Sequence, residues 1–548
     1  MRSLDTPRTA HYANDRLKTG ETMTRILRAA LAALSLACLV REAAAHPNPI
    51  PAPPAEKSIA ELARDLAERK TTSVKLVTSF LLRIEKIDKA GPALNSVLSL
   101  NPSARADARI LDAERKAGRV RGPLHGIPIL FKDNIETADP IATTAGSLAL
   151  KNNVTGRDAP LVARLRAAGA IVLGKTNLSE WANIRSSRSI SGWSAVGGFT
   201  KNPYVLDRNP CGSSSGSGTA AAAYLAAAAI GTETDGSVIC PASVAGLVGM
   251  KPTVGLISRT NVVPISHNQD TAGPMTRSVA DAALLLSVMA GSDPADPDTK
   301  DADTRKSDYT KALDTGALAG KRIGVLNFLK GYHESTDAAF ARAIDTMKQA
   351  GATIVEIEKF EPLDQIGKDE FTILLHDLKV DLNAYLATLP AAVKTRTLAD
   401  VIAFNANTPA ERAYFGQDLF EAAEKTSGTN EASDLELAAK TKRAAAEGID
   451  KMLADANLDA LVAPTGGPAW TTDVVNGDHF LGSSTTLPAV AGYPHITVPM
   501  GETMGLPVGL SFIGTAWSEA KLLALAYAFE QRTKVRKPPR YRRTIELK

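Results

Sequence analysis

The chain has few residues with which to bind a metal or cross-link itself. Among 548 residues there are three cysteines, Cys38, Cys211 and Cys240, and eight histidines. Three cysteines do not make a disulfide framework. No CxxC, HxxH or HExxH pattern occurs, so no metal site and no cofactor are expected. Cys211 and Cys240 are expected as buried thiols rather than as a disulfide. Charge of one sign is lacking too: 63 Lys and Arg against 59 Asp and Glu leave +4, close to neutral for this length. That excludes an extended nucleic-acid surface, and the basic stretch Lys534 to Arg543 reads as a solvated tail. The N-terminal apolar run, Ala29 to Val40, is twelve residues, too short to span a bilayer. Residues 58–532 contain no internal repeat and no low-complexity array.

What is present begins with that N-terminal run. Arg25 and Arg28 precede it, and Ala43-Ala44-Ala45 follow it before His46. Positive segment, short apolar segment and small-residue site together predict a secretory signal peptide, with Met23 a plausible start. Residues 1–45 are therefore read as a leader, 46–57 as a proline-rich linker, and 58–548 as one domain. The mature chain is expected to be exported, periplasmic or secreted, and to act as a monomer.

Ser58 and Glu61 form a capping box before Ile59, Leu62 and Leu66. Val74 to Ile87 predicts a longer amphipathic helix, and Asn101-Pro102 to Gly118 another. Ile127 to Phe131 and Ile171 to Gly174 read as strands, with a helix over 161–168 between them. Asp270 to Met275 reads as a turn before a helix over 278–290. Then 322–326, 337–350 and 353–357 predict strand, helix and parallel strand. Residues 365–455 look mainly helical, followed by strands at 461–464, 496–499 and 508–513 and a last helix over 519–531. The alternation predicts an α/β fold, a single large domain with a mixed central sheet wrapped by helices.

The chemistry concentrates in Cys211 to Ala242. A small-residue loop, Cys211 to Gly218, crowds hydroxyls onto bare backbone. An alanine-rich run, Ala220 to Ala229, follows and predicts a buried helix. A second loop, Gly231 to Ser237, ends in another serine. A flexible linker would not be followed by an apolar run and a second Gly-Ser turn. The pattern suits a serine nucleophile, which needs a base. No histidine lies in either loop. Lys132, ending the apolar run Ile127 to Phe131, is the alternative, since a lysine in apolar surroundings has its pKa lowered. Taken alone, it would better suit a strand end reaching solvent; joined to the two serine loops, it suits a base.

Together these segments resemble the amidase signature family. GIPILFKDN (Gly126 to Asn134) matches its lysine motif, Cys211 to Ser217 its Gly-Ser loop, and Gly231 to Ser237 its nucleophile turn. The resemblance extends from about Ser58 to about Arg532. Cys211 and Asp235 stand where the family usually has glycine. With SEWANIR (Ser179 to Arg185), SISGWSA (Ser189 to Ala195) and IGTETDGS (Ile230 to Ser237), they resemble its bacterial peptide amidase branch.

The resemblance implies a catalytic set of Lys132, Ser213 and Ser237, with Ser213 held after a cis peptide bond. It implies an oxyanion hole from the backbone N–H groups of Thr234, Asp235, Gly236 and Ser237, with Ser214 in support. The Asp235 carboxylate is expected to point away or to bind a substrate N–H, because it would oppose an oxyanion. Ser179 to Trp193 is expected to line the pocket. The implied reaction is hydrolysis of a small-molecule or peptide amide through an acyl-enzyme, C-terminal peptide amides releasing ammonia. The alternatives are a fatty or aryl amide hydrolase, the A chain of a tRNA-dependent amidotransferase, or an exported binding protein with an inactive site. The last would need one of the three residues missing, and all are present.

Overall fold

Eleven strands form one mixed sheet. The computed structural model describes residues 55–429 and 431–546; the leader, Cys38 and residues 46–54 of the expected linker lie outside them. In chain order the strands are β1 (Val97–Leu100), β2 (Pro128–Lys132), β3 (Ile171–Thr176), the small pair β4 (Trp193–Ser194) and β5 (Gly198–Phe199), β6 (Ala228–Glu233), β7 (Val248–Lys251), β8 (Thr271–Thr276), β9 (Arg322–Leu326), β10 (Thr353–Ile357), β11 (Ala460–Pro464), β12 (His495–Thr503) and β13 (Leu506–Ile513). Apart from β4 and β5, they lie side by side in the order β1-β3-β2-β6-β8-β7-β12-β13-β11-β9-β10. β3, β2 and β6 run parallel, as do β11, β9 and β10, while the middle of the sheet is antiparallel. Central strands such as β2, β6 and β13 are buried at every position, as strands covered on both faces must be.

Several expected elements form. Ser58 caps the helix Ile59–Ala67, its side chain accepting from the Glu61 N–H while Glu61 accepts from the Ser58 N–H. Ile59, Leu62 and Leu66 face the core. The helix Glu334–Gln349 joins parallel β9 and β10. Helices Leu363–Ala387, Leu398–Ala406, Asp418–Glu424 and Ala432–Asp455 fill the predicted helical stretch.

Three expectations are corrected. The alanine-rich run is not one helix. The helix spans Ser215–Ala222, the chain turns at Tyr224 (φ +54°), and Ala228 onward is β6. The reason is non-local. Arg83 donates to the carbonyls of Ala223 and Tyr224, and Arg277 to those of Ala221 and Ala227. These bonds satisfy the helix end, which helix propensity alone cannot foresee. Alanine is also small enough to let β6 fit between β2 and β8.

The stretch read as a turn at 270–275 is instead largely β8, inside the sheet. Gly273 belongs there because a Cβ would meet the Met250 carbonyl oxygen at 1.9 Å. Glycine marks close approach between strands here, not a turn. Finally, the basic C-terminal stretch is docked rather than solvated. Tyr204 Oη donates to the Lys537 carbonyl (2.6 Å), the Leu206 N–H to the Arg542 carbonyl (2.7 Å), and Arg536 pairs with Glu56.

Candidate active site

Lys132 closes β2 and is fully buried. Its Nζ lies 2.6 Å from Ser213 Oγ, 2.8 Å from Thr232 Oγ1 and 3.2 Å from the Thr232 carbonyl oxygen. Burial pushes its pKa down to about 7, against the opposing pull of Asp270 and Glu233. Asn134 holds Thr232 Oγ1 from the other side (2.9 Å).

Ser213 follows a cis Gly212–Ser213 bond and is fully buried. Its carbonyl accepts from the Ser179 N–H (3.0 Å). Ser214 ties the two loops together. Its hydroxyl donates to the Thr232 carbonyl (3.0 Å) and its N–H to the Ser237 carbonyl (3.1 Å). Among the described residues, no hydrogen bond joins the Ser213 and Ser237 hydroxyls.

The turn around Ser237 sorts its backbone donors. The N–H groups of Val238 and Ile239 go to Glu233 Oε2 (2.7 and 2.9 Å), and that of Cys240 goes to the Gly236 carbonyl (2.7 Å). Among the described residues, the N–H groups of Thr234, Asp235, Gly236 and Ser237 donate to no protein acceptor. Gly236 takes φ +76°, which a non-glycine residue would resist. Four adjacent free donors beside a serine hydroxyl are what a developing oxyanion requires.

Sequence reasoning does not single out Glu233. Its signal is an acid set just before the Gly-Ser turn, where its carboxylate can reach forward over the turn to the following helix start. Thr234 Oγ1 donates to Asp270 Oδ1 (2.6 Å), and burial pushes Asp270 up to about 6. Asp235 is half-buried at the cavity wall with its carboxylate turned in: Oδ2 accepts from Thr486 Oγ1 (2.7 Å), and Oδ1 is buried without a protein partner among the described residues.

Ser237 opens onto a cavity of about 300 Å³. From the stretch Ser179 to Trp193, Ala182, Asn183 and Ser191 line it. Trp193 does not; it packs against Phe415 (ring centroids 5.0 Å) and under Arg185. The aromatic wall comes instead from Trp470 and Phe480, 5.6 Å apart and edge to face. Their loop is anchored by Asp478, which accepts from the Ser191 N–H (2.9 Å), Asn209 Nδ2 (3.1 Å) and Trp470 Nε1 (3.1 Å). Nothing in the 465–485 sequence pairs it with residue 191; only the fold does.

The cysteine expectation is also corrected. Cys211 and Cys240 form a disulfide, their Cα atoms 6.1 Å apart, and both line the cavity. It joins the loop entering Ser213 to the helix leaving Ser237. A separation of 29 residues does not reveal the pairing, because the two loops are brought together by contacts of Ser214 with Thr232 and Ser237 that form only in the fold.

Known proteins resemble this chain along most of its length. The Amidase family model matches residues 75–523. A probable amidase of Arabidopsis thaliana is 42% identical over 501 residues, covering 89% of this chain and 92% of its own. A putative amidase of Schizosaccharomyces pombe is 35% identical over 505 residues, covering 86% and 84%. Among solved structures, the native peptide amidase from Stenotrophomonas maltophilia is 50% identical, with a TM-score of 0.84 and coverage of 89% and 99%. Sequence, sheet and cavity agree on one conclusion: the chain belongs to the amidase signature family and is an amide-hydrolysing enzyme.

Proposed function

We propose that the chain hydrolyses C-terminal peptide amides to the free acid and ammonia, with Ser237 as nucleophile and a Ser-Ser-Lys relay as base. The observation that carries this is the row of four free N–H groups around Ser237, set beside the buried Lys132–Ser213 pair. A neutral Lys132 has two N–H bonds and one lone pair. The two bonds suit the two oxygens of Thr232, and the lone pair suits the Ser213 hydroxyl proton. Ser213 takes the proton of Ser237 as the latter attacks the amide carbon. The C–N bond then breaks, the relay returns the proton to the leaving nitrogen, and ammonia departs. Water attacks the acyl-serine next, and the same groups act in reverse order. The Ser213–Ser237 contact closes when substrate fills the cavity, as catalytic hydrogen bonds often do.

The peptide amide substrate is supported by 50% identity to a peptide amidase. Asp235 Oδ1 has no protein partner beside the cavity and is left as an acceptor for a substrate N–H once the carboxylate turns outward. Export is supported by the leader pattern in residues 23–45 and by the disulfide, since disulfides persist in oxidising compartments. Both features count against a role in a cytosolic amidotransferase, and the enzyme is taken to act as a monomer. The test is ammonia release from a C-terminally amidated dipeptide, free glutamine, a fatty amide and an aryl amide. Release from the dipeptide amide alone is expected; preference for the fatty or aryl amide would overturn the substrate assignment.

A further inference from the structure

A second cavity, about 530 Å³, shares Ser483 and Thr486 with the cavity of Ser237. One wall is a single face of the helix Leu363–Ala387, on which Leu363, Gly367 and Phe371 recur at one-turn spacing. Leu329 and Leu487 add to a mainly apolar lining, in which Asp364 and Lys368 are the charged residues. Two features of that helix face are unusual. Phe371 is left 45% exposed. Gly367 sits in a helix interior, where glycine is disfavoured, yet a Cβ there would meet no atom within 4 Å. The helix is also seated on the nucleophile turn: buried Glu370 accepts from Gln269 Nε2 (2.7 Å), which reaches on to the Thr234 carbonyl (3.4 Å). The space over Gly367 thus adjoins the site of bond cleavage.

We infer that this cavity is a subsite for an apolar side chain upstream of the residue that carries the amide, so that the enzyme prefers peptides with a large apolar residue there. The inference rests on the peptide amide reading. A third cavity, about 600 Å³, also borders the Ser237 cavity through Trp470 and Asp478; it is more polar than the second, with Arg208, His333 and His479 in its lining. It would favour a charged upstream residue instead.

The experiment compares kcat/KM for ammonia release from N-acetyl-leucinamide and from two acetylated tripeptide amides that differ only in carrying Phe or Asp at the first position. Burying one phenyl ring predicts a preference for Phe over Asp of about tenfold or more. In Gly367→Trp, which fills the cavity, and in Phe371→Ala, which removes an exposed wall and so spares the core, this ratio should fall toward one. A wild-type ratio near one, a preference for Asp, or a ratio unchanged in both variants overturns the subsite. Release from N-acetyl-leucinamide with a ratio near one removes only this inference. No release from any of the three removes the peptide amide reading and the subsite together.

Discussion

At the residue scale the proposed reaction turns on protons. Lys132 can accept one only when neutral, and burial brings its pKa to about 7. The rate should therefore rise with pH through about 7 and level off above it. A rise centred near ~10, the ordinary lysine value, would contradict a buried base. The same shift bears on stability. The folded protein releases this proton at lower pH than the unfolded chain does. This group's penalty is therefore full below about 7 and relieved as pH rises toward the ordinary lysine value of 10.5. Lys132→Met should abolish turnover and flatten that dependence, measured by chemical denaturation at several pH values. Ser237→Ala should lower turnover by on the order of a thousandfold or more with the thermal midpoint preserved. Retained activity in the purified variant would remove Ser237 from the mechanism.

At the element scale, what matters is how two loops are held in register. Glu233 engages the Val238 and Ile239 N–H groups, and the N–H groups before them are the proposed oxyanion donors. Glu233→Ala should leave two buried donors unpaired, at about 1–3 kcal/mol each, and should depress kcat more than it raises KM. Urea unfolding and steady-state kinetics together test this; unchanged kcat would show that the turn holds itself. The disulfide between Cys211 and Cys240 clamps the same loops. A closed loop of this size contributes about 3–4 kcal/mol in the chain-entropy account. Reduction, or Cys240→Ser, should lower the thermal midpoint and the rate together. Equal midpoints with and without reductant would contradict the bridge.

At the scale of the whole molecule, the sheet gathers pieces distant in sequence. Lys132 comes from β2, the Ser237 turn from the end of β6, and the Trp470–Phe480 wall from the loop after β11. The docked C-terminal stretch belongs to this scale. Deleting residues 536–548 frees Tyr204, Leu206 and Glu56 from their partners. It should lower the midpoint in differential scanning calorimetry, whereas a solvated tail would be lost without effect. Where pattern is local, the sequence was legible: the capping box at Ser58, the β9–helix–β10 unit, and the serine and lysine motifs, whose residue types and spacing survive without coordinates. Where an outcome rests on partners far along the chain, it was not. Arg83 and Arg277 decide where the alanine run stops being helix. The Met250 carbonyl decides that Gly273 is strand rather than turn. Asp478 decides which aromatics wall the cavity. The chain by itself thus determined the α/β class and the reactive residue types, because periodicity and motif spacing are properties of neighbouring residues. Only the tertiary structure decided the disulfide, the free donors and the cavity walls, because each depends on contacts between segments that the sheet alone brings together.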